Sequence, residues 1–320
     1  MPTSSNTTRP QMLTNEKLNK FSSPIAEHGF SALVSIARTS SRINKNLNRE
    51  SNTFENKDNT FLFDTGISEN SVIHNSKIFE IDLSTIDGII LSHGHFDHFT
   101  GIYNIVEKVI SLSLRSKVDI FTHPDAFLKR WEICPDGRKV KLPFLDEQRL
   151  RMVGGQIHKN KKPLFIPNND DYSILITGEI PRKTNFEKGY PFQYAEDASD
   201  EKKLIHDPLV KDDQAIIINV KNKGLVILTG CGHAGIINTI KYSKELTGIN
   251  ELYAVIGGFH LPTSNKIYEN ALYPTLDELQ KSDPKYIIPC HCTGWKATNK
   301  IIDLMPDKFI QPSVGTVFTF

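Results

Sequence analysis

Apolar and polar positions along this chain follow two periods, and the switches between them mark out its elements. FSALVSIA (30–37) and NTFLFDTG (59–66) read as two strands of a hairpin, joined across a polar, Asn-rich connection. IDGIILSHG (86–94) is a short apolar run closed by turn residues, the pattern of a buried strand. GIYNIVEKVISLSL (101–114) spaces Ile, Val and Leu as a helix does, and VDIFTHP is a further strand. Residues 125–170 show little periodicity and turn basic at HKNKKP, so loops or an insertion are expected there. Beyond them SILITGEI, DQAIIINV and GLVILTGCGH read as consecutive strands. AGIINTIKYSKELTG follows as a helix with Gly248 as its stop. ELYAVIGGFHL is a strand, TLDELQKS a helix, YIIPCHC a strand, ATNKIIDLM a helix, and VGTVFTF an extended end.

Strands in both halves, interleaved with helices, predict an α+β fold of two sheets packed face to face with helices outside. No internal repeat and no linker divides the halves. Residues 23–320 are therefore expected to form a single catalytic domain, preceded by a disordered polar tail over residues 1–22.

Composition narrows the function classes. Across 320 residues the formal net charge is +1, without the broad basic excess of a nucleic-acid binder. No apolar run approaches the roughly 20 residues needed to span a bilayer. The N-terminus, rich in Ser, Thr and Asn, lacks the apolar core of a signal peptide, so a cytoplasmic location is expected. Four cysteines (Cys134, Cys231, Cys290 and Cys292) are too few and too uneven for a disulfide framework. Two of them flank His291, and Cys231 lies two residues before His233, which suggests metal or reactive chemistry instead.

The densest chemistry is LSHGHFDHFTG (91–101). His93 and His95 stand two apart at a strand end, where extended backbone sends both side chains the same way. Asp97 and His98 follow on the turn into the next helix and can face back to the same space. Imidazole and carboxylate suit zinc and similar divalent ions. Four ligands so close together cannot easily wrap one ion, but they can divide between two.

SHGHFDH matches the His-x-His-x-Asp-His signature of the metallo-β-lactamase superfamily, whose fold is an αββα four-layer sandwich. NTFLFDTG fits that family's earlier motif, in which Asp64 would support the metal site from behind. The blocks AEHGFSAL, TGEIPR, DDQAI, TGCGHAGI, GGFHL and PCHCTGW resemble, in order, the dihydropterin–aminobenzene phosphate synthases of that superfamily and their hydrolase relatives. The resemblance runs over almost the whole chain after residue 24. It implies a first ion held by His93, His95 and His233, and a second held by Asp97, His98 and His291. Zinc is the expected metal, with iron or manganese as alternatives. Many hydrolases of the superfamily carry a bridging aspartate where this chain has Cys231, which either reaches the ions as thiolate or packs as an inert thiol. Strand alternation through YIIPCHC would send His291 one way and both flanking cysteines the other.

Asp97 and His260 are the candidate catalytic groups, and Arg182, His28 and Glu179 the candidate substrate contacts. Arg182 is favoured for a phosphorylated small molecule because guanidinium matches phosphate oxygens at two points. Lys129 and Arg130, like most such charges, are expected on solvated faces, and His74, His123, His158 and His206 in structural roles. The resemblance implies a synthase that joins a dihydropterin methyl pyrophosphate to an aminobenzene-type acceptor. The alternative is a metal-dependent hydrolase of lactones, thioesters or phosphodiesters, since the fold hosts many chemistries. A non-catalytic metal or redox-binding protein is a third class. Homo-oligomerisation stays open.

Overall fold

The computed structural model describes residues 11–12, 23–36, 59–166, 174–262 and 266–320. The expected N-terminal tail and the Asn-rich connection lie outside these residues, except that Gln11–Met12 pair antiparallel with Thr316–Val317.

Two mixed sheets form the centre. The first has five strands in the order Ala32–Ile36, Asn59–Phe63, Gly88–Ile90, Val118–Thr122 and Gly155–Lys159. Ala32–Ile36 is antiparallel to its neighbour, as the hairpin reading expects, and the other four run parallel. The second has six, in the order Tyr286–Pro289, Leu252–Gly257, Gly224–Thr229, Ala215–Val220, Ile174–Ile176 and Leu164–Ile166. Its first three are parallel and the rest antiparallel.

Period-two alternation assigns neighbouring residues of one strand to different layers. Phe61, Phe63, Ile90, Ile174, Ile176, Ile216 and Leu228 meet between the sheets. Leu62, Ile89 and Ile120 point outward instead, under the helices Ile102–Leu112 and Glu147–Met152. On the far side Leu175, Ile217 and Ile227 pack against Ile236–Thr247, Lys266–Ser282 and Trp295–Leu304. The result is the four-layered αββα sandwich, and burial on both faces explains why its strands read as near-continuous apolar runs. Among the described residues no helix is long and apolar enough to cross a membrane.

The structure corrects two expectations here. The described residues of 125–166 are not simply loops or an insertion. They contain Gly155–Lys159 and Leu164–Ile166, which extend the two main sheets. They also contain Arg130–Ile133 and Lys139–Lys141, which join Gln193–Glu196 and Leu204–His206 in a separate antiparallel sheet. These strands are short and half exposed, so they bury too few positions to leave a clear alternation. The helix expected from Thr275 begins at Lys266, with Pro274 inside it; a proline that looks like a start signal sits mid-helix.

Candidate metal centre

The parallel strands of both sheets end on the same side, and their C-terminal ends deliver the site. Asp64 follows Asn59–Phe63, His93 follows Gly88–Ile90, and Cys231 and His233 follow Gly224–Thr229. His260 follows Leu252–Gly257, and His291 follows Tyr286–Pro289. The loop from His93 to His98 passes so close to the neighbouring turn that a Cβ on Gly94 would lie 2.1 Å from the Ala126 carbonyl oxygen. Only glycine fits there.

Donor atoms of His93, His95 and His233 lie within 4.8 Å of one another, all buried. Their tautomers follow from their outer partners. Ser92 donates its hydroxyl to Asp64 Oδ2 at 2.6 Å, so His93 Nδ1, 2.9 Å from Ser92 Oγ, is the donor of that pair. His93 Nε2 is left unprotonated, buried and without a hydrogen-bond partner. His95 Nε2 donates to Gln193 Oε1, whose amide is fixed by its own bond to Asp207 Oδ2 at 3.0 Å. That frees His95 Nδ1, which faces His233 Nε2 at 3.1 Å. Burial, reinforced by neighbouring imidazoles, holds His93 and His233 well below the usual histidine range, and burial with the nearby Arg130 brings His95 down to about 4. Three neutral imidazoles thus converge on one point, and an orphaned lone pair in a polar pocket fits a divalent ion.

A second group lies beside it. His98 Nε2 stands 3.1 Å from His291 Nε2, 3.2 Å from Cys231 Sγ and 3.6 Å from Asp97 Oδ2. Asp97 Oδ2 is 3.3 Å from His291 Nε2. His98 Nδ1 donates to Asp64 Oδ2 at 2.7 Å, which turns its other nitrogen toward the group. Asp64 also accepts from Ser92 N at 2.7 Å and takes a left-handed backbone (φ 61°), so one strained residue ties both strand ends together. Burial works against ionisation of Asp97, yet the imidazoles of His98, His291 and His95 hold its carboxyl well below the carboxylate range. Although burial opposes a charge on His291, contacts with Asp97 and Cys292 raise it to about 10. The negative charge here calls for a cation, which without metal is a proton on His291.

The remaining candidates are less evenly placed. His260 adopts φ 43° and packs against His233 at a tilt, with ring centroids 4.0 Å apart; its Nε2 contacts Tyr268 Oη at 3.2 Å, and its Nδ1 is buried with no hydrogen-bond partner. Exposed His28 lies at the rim, its ring 4.7 Å from that of His291 and its Nε2 3.5 Å from Asp97. Arg182 spends its guanidinium on backbone, donating to the carbonyl oxygens of His233 (2.6 Å) and Leu209. Glu179 joins none of the donor groups; its carboxylate lies 4.0 Å from His123 Nε2. His74, His158 and His206 make ordinary hydrogen bonds to Ser23, Asp119 and Pro191.

Two expectations fail. Cys292 does not turn away from His291. The chain leaves strand geometry at His291 (φ 49°) and enters a short 3-10 turn, so Cys290 packs into the inter-sheet core while Cys292 Sγ comes 3.1 Å from Cys231 Sγ. Nor is Arg130 solvated. It is 1% exposed and pairs in two-point fashion with Asp212 at 2.5 and 3.1 Å. Asp212 in turn accepts from Gly94 N at 2.7 Å, anchoring the histidine loop. Gln193 and Tyr190, whose ring lies 6.1 Å from that of His233, also escaped the sequence reading. The adjacent acids of DDQAI, directly before a buried strand, were the available signal for Asp212.

Beside the site a groove of about 690 Å³ runs between Asn185, Phe186 and Lys188 and the helix Lys266–Ser282. It shares Phe186, Lys188 and Ile267 with a narrow crevice that reaches His233, His260 and Tyr268.

Comparison with known proteins gives a consistent result. The metallo-β-lactamase superfamily model matches residues 53–242. The chain is 30% identical over 307 residues to the 7,8-dihydropterin-6-methyl-4-(β-D-ribofuranosyl)-aminobenzene-5'-phosphate synthase of Methanocaldococcus jannaschii, covering 94% of this chain and 92% of that one. An uncharacterized protein of the same organism is 31% identical, covering 96% and 97%. Among solved structures, Tm1679, a metal-dependent hydrolase of the β-lactamase superfamily, superposes with a TM-score of 0.67 at 20% identity, covering 97% of this chain and 98% of the other. At that identity the likeness is one of fold.

Proposed function

This chain belongs to the metallo-β-lactamase superfamily, and from that premise we propose that it joins a dihydropterin methyl pyrophosphate to an aminobenzene-type acceptor and releases pyrophosphate. The observation that carries this reading is the identity to the M. jannaschii synthase, which runs through 94% of the chain rather than a shared motif alone. Residues 23–320 act as one catalytic domain in the cytoplasm. His93, His95 and His233 would hold one divalent ion, and Asp97, His98, His291 and Cys231 would hold a second. Zinc suits this mixture of nitrogen, oxygen and sulfur, with iron or manganese as the alternatives. Once bound, the ions supply positive charge that neutralises a pyrophosphate group and fixes its direction.

The chain's own residues arrange the rest. Asp64 and Gln193 lock the imidazoles of His98 and His95, so the site is set before substrate arrives. The new bond forms between the acceptor and the pterin methylene, the methylene–oxygen bond breaks, and pyrophosphate leaves. The proton lost by the acceptor goes to His260 Nδ1, which is buried and unpartnered. Arg182 braces the His233 loop in this reading rather than binding phosphate directly. The groove that meets the His260 crevice at Lys188 receives the phosphorylated arm of the acceptor.

Mass spectrometry of a reaction containing metal-loaded protein, the dihydropterin methyl pyrophosphate and an aminobenzene acceptor tests this. A condensation product that disappears with chelator supports the reading. Turnover of a lactone, thioester or phosphodiester with no condensation product replaces it with the hydrolase alternative.

A further inference from the structure

We propose that Cys292 is a metal-binding residue, and that with Cys231 it presents a pair of thiolates to the second ion position, which accordingly takes a thiophilic divalent ion. This rests on the metal-dependent reading above and adds a ligand to it.

The backbone is built to bring Cys292 in. Had the strand Tyr286–Pro289 continued, Cys292 would share a face with Cys290, in the inter-sheet core. Instead His291 adopts a left-handed φ of 49°, a conformation that is unfavourable for a residue with a Cβ. The turn is held by Thr293, whose N and Oγ1 both donate to the Cys290 carbonyl oxygen at 3.0 and 2.8 Å. His291 and Cys292 consequently both reach the donor groups, and Cys290 alone packs with apolar neighbours. A thiol needed only for packing would not require the turn.

The distances fit coordination. An ion bound at about 2.3 Å from sulfur and 2.0–2.1 Å from nitrogen holds its ligand atoms roughly 3.3–3.8 Å apart. Cys231 Sγ is 3.2 Å from His98 Nε2 and 3.2 Å from His291 Nε2, close to the ~3.6 Å of a sulfur and a nitrogen sharing one ion, and it is 3.1 Å from Cys292 Sγ, so the two sulfurs part by roughly 0.7 Å to reach the ~3.8 Å of a coordinated pair. Cys292 Sγ also lies within 4.8 Å of donor atoms of Asp97, His291 and His28. A thiol pair crowded beside the Asp97 carboxylate and several imidazoles is the donor mixture that a thiophilic divalent ion takes. Two sulfur donors also make up for the bridging carboxylate this chain lacks.

Cobalt substitution reads the ligands without reference to activity. Wild-type protein loaded with cobalt(II) should show near-ultraviolet sulfur-to-metal charge-transfer absorption. The band should fall to about half in Cys292→Ser and in Cys231→Ser and vanish in the double variant. A band lost in Cys231→Ser yet undiminished in Cys292→Ser would overturn the proposal while leaving the metal reading intact. Wild-type protein that binds no cobalt at all would remove both. Unsubstituted protein gives a second measurement in case a variant fails to fold. Iodoacetamide should modify Cys292 after chelation and spare it when zinc is bound, as read by peptide mass spectrometry. Equal modification in both states would overturn the proposal.

Discussion

Replacing Asp212 by alanine should destabilise the metal-free protein by about 3–5 kcal/mol, the range for removing one partner of a buried ion pair. Asp212 is fully buried and receives both Arg130 amino groups, at 2.5 and 3.1 Å, together with Gly94 N at 2.7 Å. Its loss leaves a guanidinium that is 1% exposed, with only Asp207 nearby at 3.4 Å to offset the charge. It also leaves the Gly94 N–H without its acceptor. Urea unfolding of chelated protein measures the effect without any contribution from lost metal binding. The pH dependence follows from the same contacts. Burial alone would raise the Asp212 pKa, but Arg130 and Gly94 N hold it below the ordinary 3.8. The stabilisation is therefore present above about pH 4 and is lost as pH falls through the lower folded value, so the gap between variant and wild type should persist at neutral pH and close in acid. Adding Arg130→Met to Asp212→Ala should recover part of the loss, with a coupling on the order of 2 kcal/mol. A loss below about 1 kcal/mol, or no coupling, would refute the claim that this pair anchors the histidine loop.

Three further outcomes follow. Asp64→Asn should weaken metal binding about ten- to a hundredfold by loosening His98, measured by competition with a chromophoric chelator. In Gly94→Ala a Cβ would meet the Ala126 carbonyl oxygen at 2.1 Å, so the loop must shift; elemental analysis should show metal content falling while the far-ultraviolet circular dichroism is retained. Burial pushes Asp213 up to about 6 against the opposing bond from Ala234 N, so the carboxyl favours folding when protonated, and that advantage is lost as pH rises through 6. Chelated Asp213→Asn should therefore gain stability relative to wild type between pH 4 and 7, by on the order of 3 kcal/mol, in urea titrations at the two pH values.

Much of this molecule was legible in its sequence because both sheets are buried on both faces, and GIILSHG, AIIINV and GLVILTG advertise that directly. The donors of the His-x-His-x-Asp-His loop were legible because their spacing is local, and His233 and His291 because each closes a recognisable strand. What escaped depends on contacts between distant segments. Arg130 looks like a surface charge until Asp212, 82 positions later, folds against it. Gln193 finds His95 across 98 positions. Cys292 was misplaced for a different reason: strand alternation was carried three residues beyond Pro289, past His291, whose left-handed backbone turns the chain out of strand geometry. The short strands between 125 and 170 bury too little to impose a pattern at all.

The central claim is that the metal site serves a condensation, and acceptor dependence of pyrophosphate release measures it most directly. With dihydropterin methyl pyrophosphate as the first substrate, metal-loaded protein should release pyrophosphate when an aminobenzene acceptor is present and little without it, in stoichiometric step with condensed product. Pyrophosphate release at the same rate with and without acceptor, or efficient opening of a lactone beside no condensed product, would contradict it.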